Sequence, residues 1–246
     1  MINLLIDAGN TRLKWCWYDG TDIPLQSESC EYEDFEAEGA GVFADEGHDV
    51  ERIVICSVAG SELNDELIMA FDSWPAEPEF LVSEEARNGV QNAYHESLQL
   101  GVDRWMNLLG AVSLVKDAVC IVDCGSAVTI DVVDDDGQHL GGMIIPGLEM
   151  MREVLLDQTA EVEIDAEPEP VLLARDTASA VNAGTLYAVV ALIDRVRQDI
   201  SSEMDTELPM ILTGGDAYQV QPLLGGEVRI ESMLIFHGMI TALEEE

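Results

Sequence analysis

The chain has 246 residues, 48% apolar and 24% charged, so it is long enough for one large or two small domains and too apolar to be disordered. Its 49 acids against 11 bases leave a formal net charge of −38, which repels nucleic acid and anionic membrane, since both are bound through clustered Lys and Arg. The acids recur along surface segments such as residues 28–51 and 161–169, which reads as adaptation to concentrated salt, the alternative being an ordinary acidic cytosolic protein.

Residues 2–6 read as a buried strand, apolar apart from Asn3, that runs into Asp7-Ala8-Gly9-Asn10-Thr11. Residues 13–18 form a second strand ending at the turn Asp19-Gly20, and residues 53–57 a third. A helix is expected over 62–74, with Leu63, Leu67, Ile68 and Phe71 on one face and Pro75 at its end. Another covers 103–115, where Trp105, Leu108, Leu109 and Val112 have helical spacing. Strands at 119–123 and 128–133 then flank Asp123-Cys124-Gly125-Ser126, and Asp134-Asp135-Asp136-Gly137 reads as a hairpin turn rather than a calcium loop, the rest of that pattern being missing. Gly141-Gly142-Met143-Ile144-Ile145-Pro146-Gly147 is a glycine-flanked strand, 148–156 a helix, and 161–170 an acid-rich, proline-containing loop. From Asp176 an Ala-rich segment reads as helical to residue 200. Met210-Ile211-Leu212-Thr213 is a strand entering the glycine loop Gly214-Gly215, and 232–243 a closing helix. No stretch reads as long and apolar enough to span a bilayer, and no basic segment precedes Asp7, so a cytoplasmic protein is expected. The five cysteines are odd in number and lack a Cys-x-x-Cys pair, which suggests neither a disulfide framework nor a zinc site.

The two acid-and-glycine loops are alike. In each, an apolar run ends in an Asp, a small residue, a Gly and a small polar residue, and the two Asp stand 116 residues apart, nearly half the chain. A duplicated domain follows, with boundaries expected at 1–115 and 116–246. Such a loop lets backbone approach a ligand closely; its N–H groups and hydroxyl can cradle phosphate, and its carboxylate can hold Mg²⁺. Lys14, one of only two lysines, lies three residues beyond Thr11, where a phosphate partner is needed; its bland reading is an exposed strand residue. Neither a P-loop nor a Gly-x-Gly-x-x-Gly fingerprint occurs. Asp103 reads either as a helix N-cap or as a base for a substrate hydroxyl, and Arg104 either as a surface residue or as a bidentate carboxylate contact. His48, His95, His139 and His237 have no metal-ligand spacing and read as surface or core residues.

In order and spacing these motifs resemble the type III pantothenate kinases, of the acetate and sugar kinase, heat-shock and actin superfamily, over nearly the whole length. The run from Asp7 to Lys14 resembles the first phosphate motif, Gly101-Val102-Asp103-Arg104 the Gly-x-Asp-Arg motif, and Asp123 to Asp131 the second phosphate motif; Gly141-Gly142 to Pro146-Gly147 and Thr213-Gly214-Gly215 fit later ones. The resemblance implies an α/β fold of two duplicated ribonuclease H-like domains with a nucleotide cleft between them. It implies ATP-dependent phosphorylation of pantothenate, the first step of coenzyme A synthesis. By motif, Asp7, Ala8, Gly9, Asn10, Thr11, Arg12, Leu13 and Lys14 would bind ATP phosphates, with Ser126, usually Thr in the family, also on ATP. Asp103 would be the proton acceptor. Tyr94, Gly101, Val102, Asp103, Arg104 and Thr177 would contact pantothenate, Arg104 taking its carboxylate. Asp123 would hold a monovalent cation, K⁺ or NH₄⁺, and Mg²⁺ would accompany ATP. A homodimer is implied. The competing readings are a related kinase for another small hydroxyl substrate and a non-catalytic regulatory protein.

Overall fold

A computed structural model describes residues 2–21, 26–43, 50–157 and 171–244. His48 and the expected loop over 161–170 lie outside the described residues.

Strand β1 (Ile2–Ala8) pairs antiparallel with β2 (Arg12–Tyr18), in a register that sets Asp7 opposite Lys14 and Ala8 opposite Leu13. β3 (Glu28–Glu31) joins β2 antiparallel, and helix α1 (Tyr32–Glu38) follows it. β4 (Val50–Ser57) lies parallel to β1, helix α2 (Ser61–Ala70) crosses over, and β5 (Pro78–Phe80) lies parallel to β4. The sheet order is β3-β2-β1-β4-β5. Alternation along the strands sorts the core. Leu4, Ile6, Ile53 and Ile55 share one cluster with Phe35, Phe43, Leu67 and Phe71, while Leu5, Val54 and Cys56, also buried, point to the other face. A two-residue hairpin, β6 (Ala86–Arg87) and β7 (Val90–Gln91), leads into α3 (Val102–Leu114), which touches β4. Closing helix α7 (Leu234–Leu243) touches β1 and packs tightly along α3.

The second sheet repeats the first. β8 (Val119–Cys124), β9 (Ala127–Val133), β10 (His139–Pro146), β11 (Met210–Thr213) and β12 (Val228–Ile230) take the order β10-β9-β8-β11-β12, with β11 parallel to both β8 and β12. Third, second, first, fourth, fifth is the order in both sheets, so the loop duplication is a duplication of topology. Helices α4 (Leu148–Asp157), α5 (Thr177–Met204) and α6 (Ala217–Val220) complete this half, and Leu186, Val189, Val190 and Ile193 of α5 pack into its core with β8, β9 and β11.

The chain divides into two compact units, Met1–Asp117 with Val133–His139 and Ser232–Glu246, and Ala118–Val132 with Leu140–Glu231. A cut between 115 and 116 misses two returns of the chain to the first unit: the turn after β9, and α7, which has α3 as its partner. The membrane reading needs correcting: α5 is long and apolar enough by length and composition to cross a bilayer. Its apolar residues instead supply one wall of a folded core. Ile68, expected on the buried face of α2, is 48% exposed, although Leu67 and Phe71 are buried.

Candidate active site

In the first unit, β1 delivers Asp7 and Gly9 to a tight connection and β2 carries the chain away through Lys14. The antiparallel register puts Lys14 Nζ 3.8 Å from Asp7 Oδ2, and Asp7 is buried. Asn10, Thr11 and Arg12 are exposed. Tyr32 braces this loop from behind: its hydroxyl donates to the Gly9 carbonyl and lies 3.5 Å from that of Arg12. Burial, then the charge of Asp7, pushes the Tyr32 phenol up to about 12, so it stays a donor.

The Gly-x-Asp-Arg stretch starts α3. Gly101 is the N-cap and makes no side-chain cap, so Asp103 is not the N-cap that one reading proposed; it stands in the first turn and accepts the Arg104 N–H at 2.7 Å. Gly at 101 has a steric reason: a Cβ there would lie 2.5 Å from Asp103 Oδ1. Arg104 is not a surface residue. It is buried, its Nη1 donates to the Tyr94 hydroxyl at 2.9 Å, and its Cζ lies 5.7 Å from the Tyr94 ring centroid. Tyr94 is set by Asn92, whose Oδ1 accepts the Tyr94 N–H at 2.9 Å.

Cys56 ties these pieces together. It is the register partner of Asp7 on β4, and its thiol is pushed far above its ordinary value by burial first, then by Asp7 and Asp103. The charges of both carboxylates are thus felt at Cys56, near the carboxyl ends of parallel β1 and β4, the ends where α/β sheets bind ligands.

The second unit gathers its own motifs. Asp123 is the last residue but one of β8, and its Oδ1 lies where Gly214 and Gly125 leave room: a Cβ on Gly214 would come within 2.5 Å of it, one on Gly125 within 3.2 Å. Gly214 has φ +86, which only glycine adopts freely. The Gly147 N–H donates to the Ser126 carbonyl at 3.0 Å, and a Cβ on Gly147 would meet the Gly125 carbonyl at 2.4 Å. The Asp216 N–H donates to the Cys124 carbonyl at 3.0 Å. Asp123–Ser126, Pro146–Gly147 and Thr213–Asp216 thus form one loop cluster, with the Ser126 residue exposed on it. Asp216, which motif reading passed over, has its carboxyl raised by burial, with Arg152 opposing and Glu149 reinforcing the rise. Thr177 stands exposed in the first turn of α5, behind the Asp176 N-cap, in this unit rather than with Tyr94 and Arg104. Among the described residues no group of three or more His, Cys, Asp and Glu could hold a metal.

The family model for type III pantothenate kinase matches residues 3–199. The chain belongs to the type III pantothenate kinase family. A type III pantothenate kinase of Nitrosococcus oceani is 39% identical over 243 residues, covering 96% of this chain and 91% of the relative; one from Marinobacter nauticus is 35% identical, covering 96% of each. Among solved structures, a Baf family protein from Campylobacter jejuni matches with TM-score 0.59 and 21% identity, over 96% of this chain and 94% of that one. An archaeal actin homologue matches with TM-score 0.51 and 11% identity, over 98% and 99%. These likenesses establish the actin-like two-domain fold that the duplicated sheets display.

Proposed function

We propose that this protein transfers the γ-phosphoryl group of ATP to the hydroxyl of pantothenate, the first step of coenzyme A synthesis, with Asp103 as proton acceptor. The observation that supports the residue roles is the buried Arg104 guanidinium, held on the Tyr94 hydroxyl beside Asp103 in the first turn of α3. Phosphoryl transfer asks for positioning and charge neutralisation. Lys14 and the Gly9–Thr11 backbone face the phosphates, with Asp7 holding Mg²⁺. Arg104, fixed on Tyr94, takes the pantothenate carboxylate, as bidentate recognition requires of a rigid guanidinium. Ser126 supplies a hydroxyl to ATP, and Asp123, in its glycine cradle, fits a monovalent cation such as K⁺. Thr177 is assigned to pantothenate by motif alone. The cation offsets repulsion between anionic substrates and a chain of net charge −38.

We also assign a cytoplasmic homodimer. Leu140, Met143, Ile144, Met150, Val154 and Leu173, on β10, α4 and the segment before α5, are exposed apolar residues that a subunit contact would cover. The acidic surface suits a concentrated-salt interior.

The test is pantothenate-dependent ADP release in Mg²⁺ and high KCl. Activity should vanish without pantothenate and fall about 10³-fold in Asp103→Asn, within the range of a lost general base. Turnover unchanged by that substitution refutes the base. Equal rates in NaCl and KCl at matched ionic strength refute the potassium site.

A further inference from the structure

Tyr94 is itself held from behind. Its ring stacks on the imidazole of His139, with centroids 6.3 Å apart and planes 9° apart. His139 is 1% exposed, and its Nδ1 accepts the Ala93 N–H at 3.4 Å, so the ring is tied to the residue preceding Tyr94. The turn that carries His139 is fixed as well. Asp134 Oδ1 accepts the N–H groups of Asp136 and Gln138, at 3.1 and 2.8 Å. The Gln91 N–H donates to the Gly137 carbonyl at 2.9 Å, and Gln138 Nε2 donates to the Gln91 carbonyl at 3.3 Å. Gly137 presses so closely on the β6–β7 hairpin that a Cβ would stand 2.1 Å from the Gly89 carbonyl. All of these residues belong to the first unit. The turn after β9 therefore docks on the segment leading to Tyr94 and sets the imidazole beside its ring.

We propose that His139 is a positioning residue for substrate recognition: its ring sets the plane of Tyr94, and the Tyr94 hydroxyl and ring set the Arg104 guanidinium. The identity of the carboxylate that Arg104 meets rests on the proposed function. In this role His139 need not touch substrate. A guanidinium recognises a carboxylate through a planar fork, so a tilt of its support costs affinity at that end of the substrate and leaves the nucleotide end alone.

Two substitutions divide the ring from its hydrogen bond. His139→Asn keeps an acceptor near Nδ1 and removes the stack; His139→Phe keeps the stack and removes the acceptor. His139→Asn should raise the pantothenate KM about tenfold, with the ATP KM changed less than about twofold, the size expected when a binding group loses its rigid support. His139→Phe should recover most of that loss. In a Tyr94→Ala background, His139→Asn should add nothing, because it acts through Tyr94. Equal rises in both KM values, a damaging Phe beside a silent Asn, or additivity with Tyr94→Ala overturns the proposal. Should wild-type protein leave pantothenate unphosphorylated, the substrate reading fails alone, and crystal structures of wild type and His139→Asn decide the positioning role. Loss of the Arg104–Tyr94 hydrogen bond in the variant upholds it; its retention overturns it.

Discussion

Gly101 shows how a single residue positions a neighbouring side chain. A side chain at 101 would collide with the Asp103 carboxylate, which is the movable end of a side chain and gives way. Gly101→Ala should therefore fold normally, with an unchanged melting temperature, and lose about 10²-fold in kcat because Asp103, the proposed base, is displaced. Tyr32 is the corresponding support for the first loop. Tyr32→Phe strips the Gly9 carbonyl of its donor, at a cost of about 1 kcal/mol, and should raise the KM for ATP while sparing that for pantothenate. Titration at this scale has a definite sign. Burial raises the Cys16 and Cys120 thiols from 9.0 to about 12, and Tyr32 from 10.0 to about 12. The native state thus keeps protons that the unfolded chain releases, and stability should fall as pH rises from 9 to 12. Denaturant midpoints measured across that window check this; a flat midpoint contradicts it. The motif residues were legible because glycines, lone lysines and repeated acids are rare signals. Tyr32, Asp216 and His139 were not, since nothing local marks a Tyr that meets a carbonyl 23 residues away or a His that stacks on a Tyr 45 residues earlier in the chain.

Among elements, α3 depends on α7. A Cβ on Gly110 would meet the Leu234 carbonyl at 2.3 Å, and one on Gly238 the Met106 carbonyl at 1.8 Å, so the two helices approach through glycine on both sides. Backbone cannot yield as a side chain does. Gly238→Ala should destabilise by about 3 kcal/mol, the upper range for forced overpacking, read as a shifted denaturant midpoint. It should also reduce activity, because α3 carries Asp103 and Arg104. Long periodic elements followed the sequence closely: α3 was expected over 103–115 and spans Val102–Leu114. The short ones escaped. β3 reads Glu-Ser-Cys-Glu and lies largely exposed at a sheet edge, and β5, β6, β7 and β12 have two or three residues each, too few for a period to register. Their pairing is decided by the neighbour that receives them.

For the whole molecule, charge dominates. Surface ion pairs such as Arg12–Glu31 and Arg52–Glu79 are short, at 2.7 Å, yet exposed pairs contribute little. Self-repulsion from a net −38 is relieved by screening, so the melting temperature should rise by about 10 °C between 0.1 and 2 M KCl. A flat response would favour an ordinary acidic protein. The exposed apolar residues of β10 and α4 give a separate expectation: light scattering should report a dimer, and Ile144→Glu, placed where 61% of the residue is exposed, should yield a folded monomer. By itself the sequence determined the duplicated α/β plan and the family, because turn geometry and close backbone approach demand particular residues at fixed spacing. Only the tertiary structure decided that α5 is a core helix, that α7 returns to the first unit and that Arg104 is buried against Tyr94, because burial depends on which distant segments pack together.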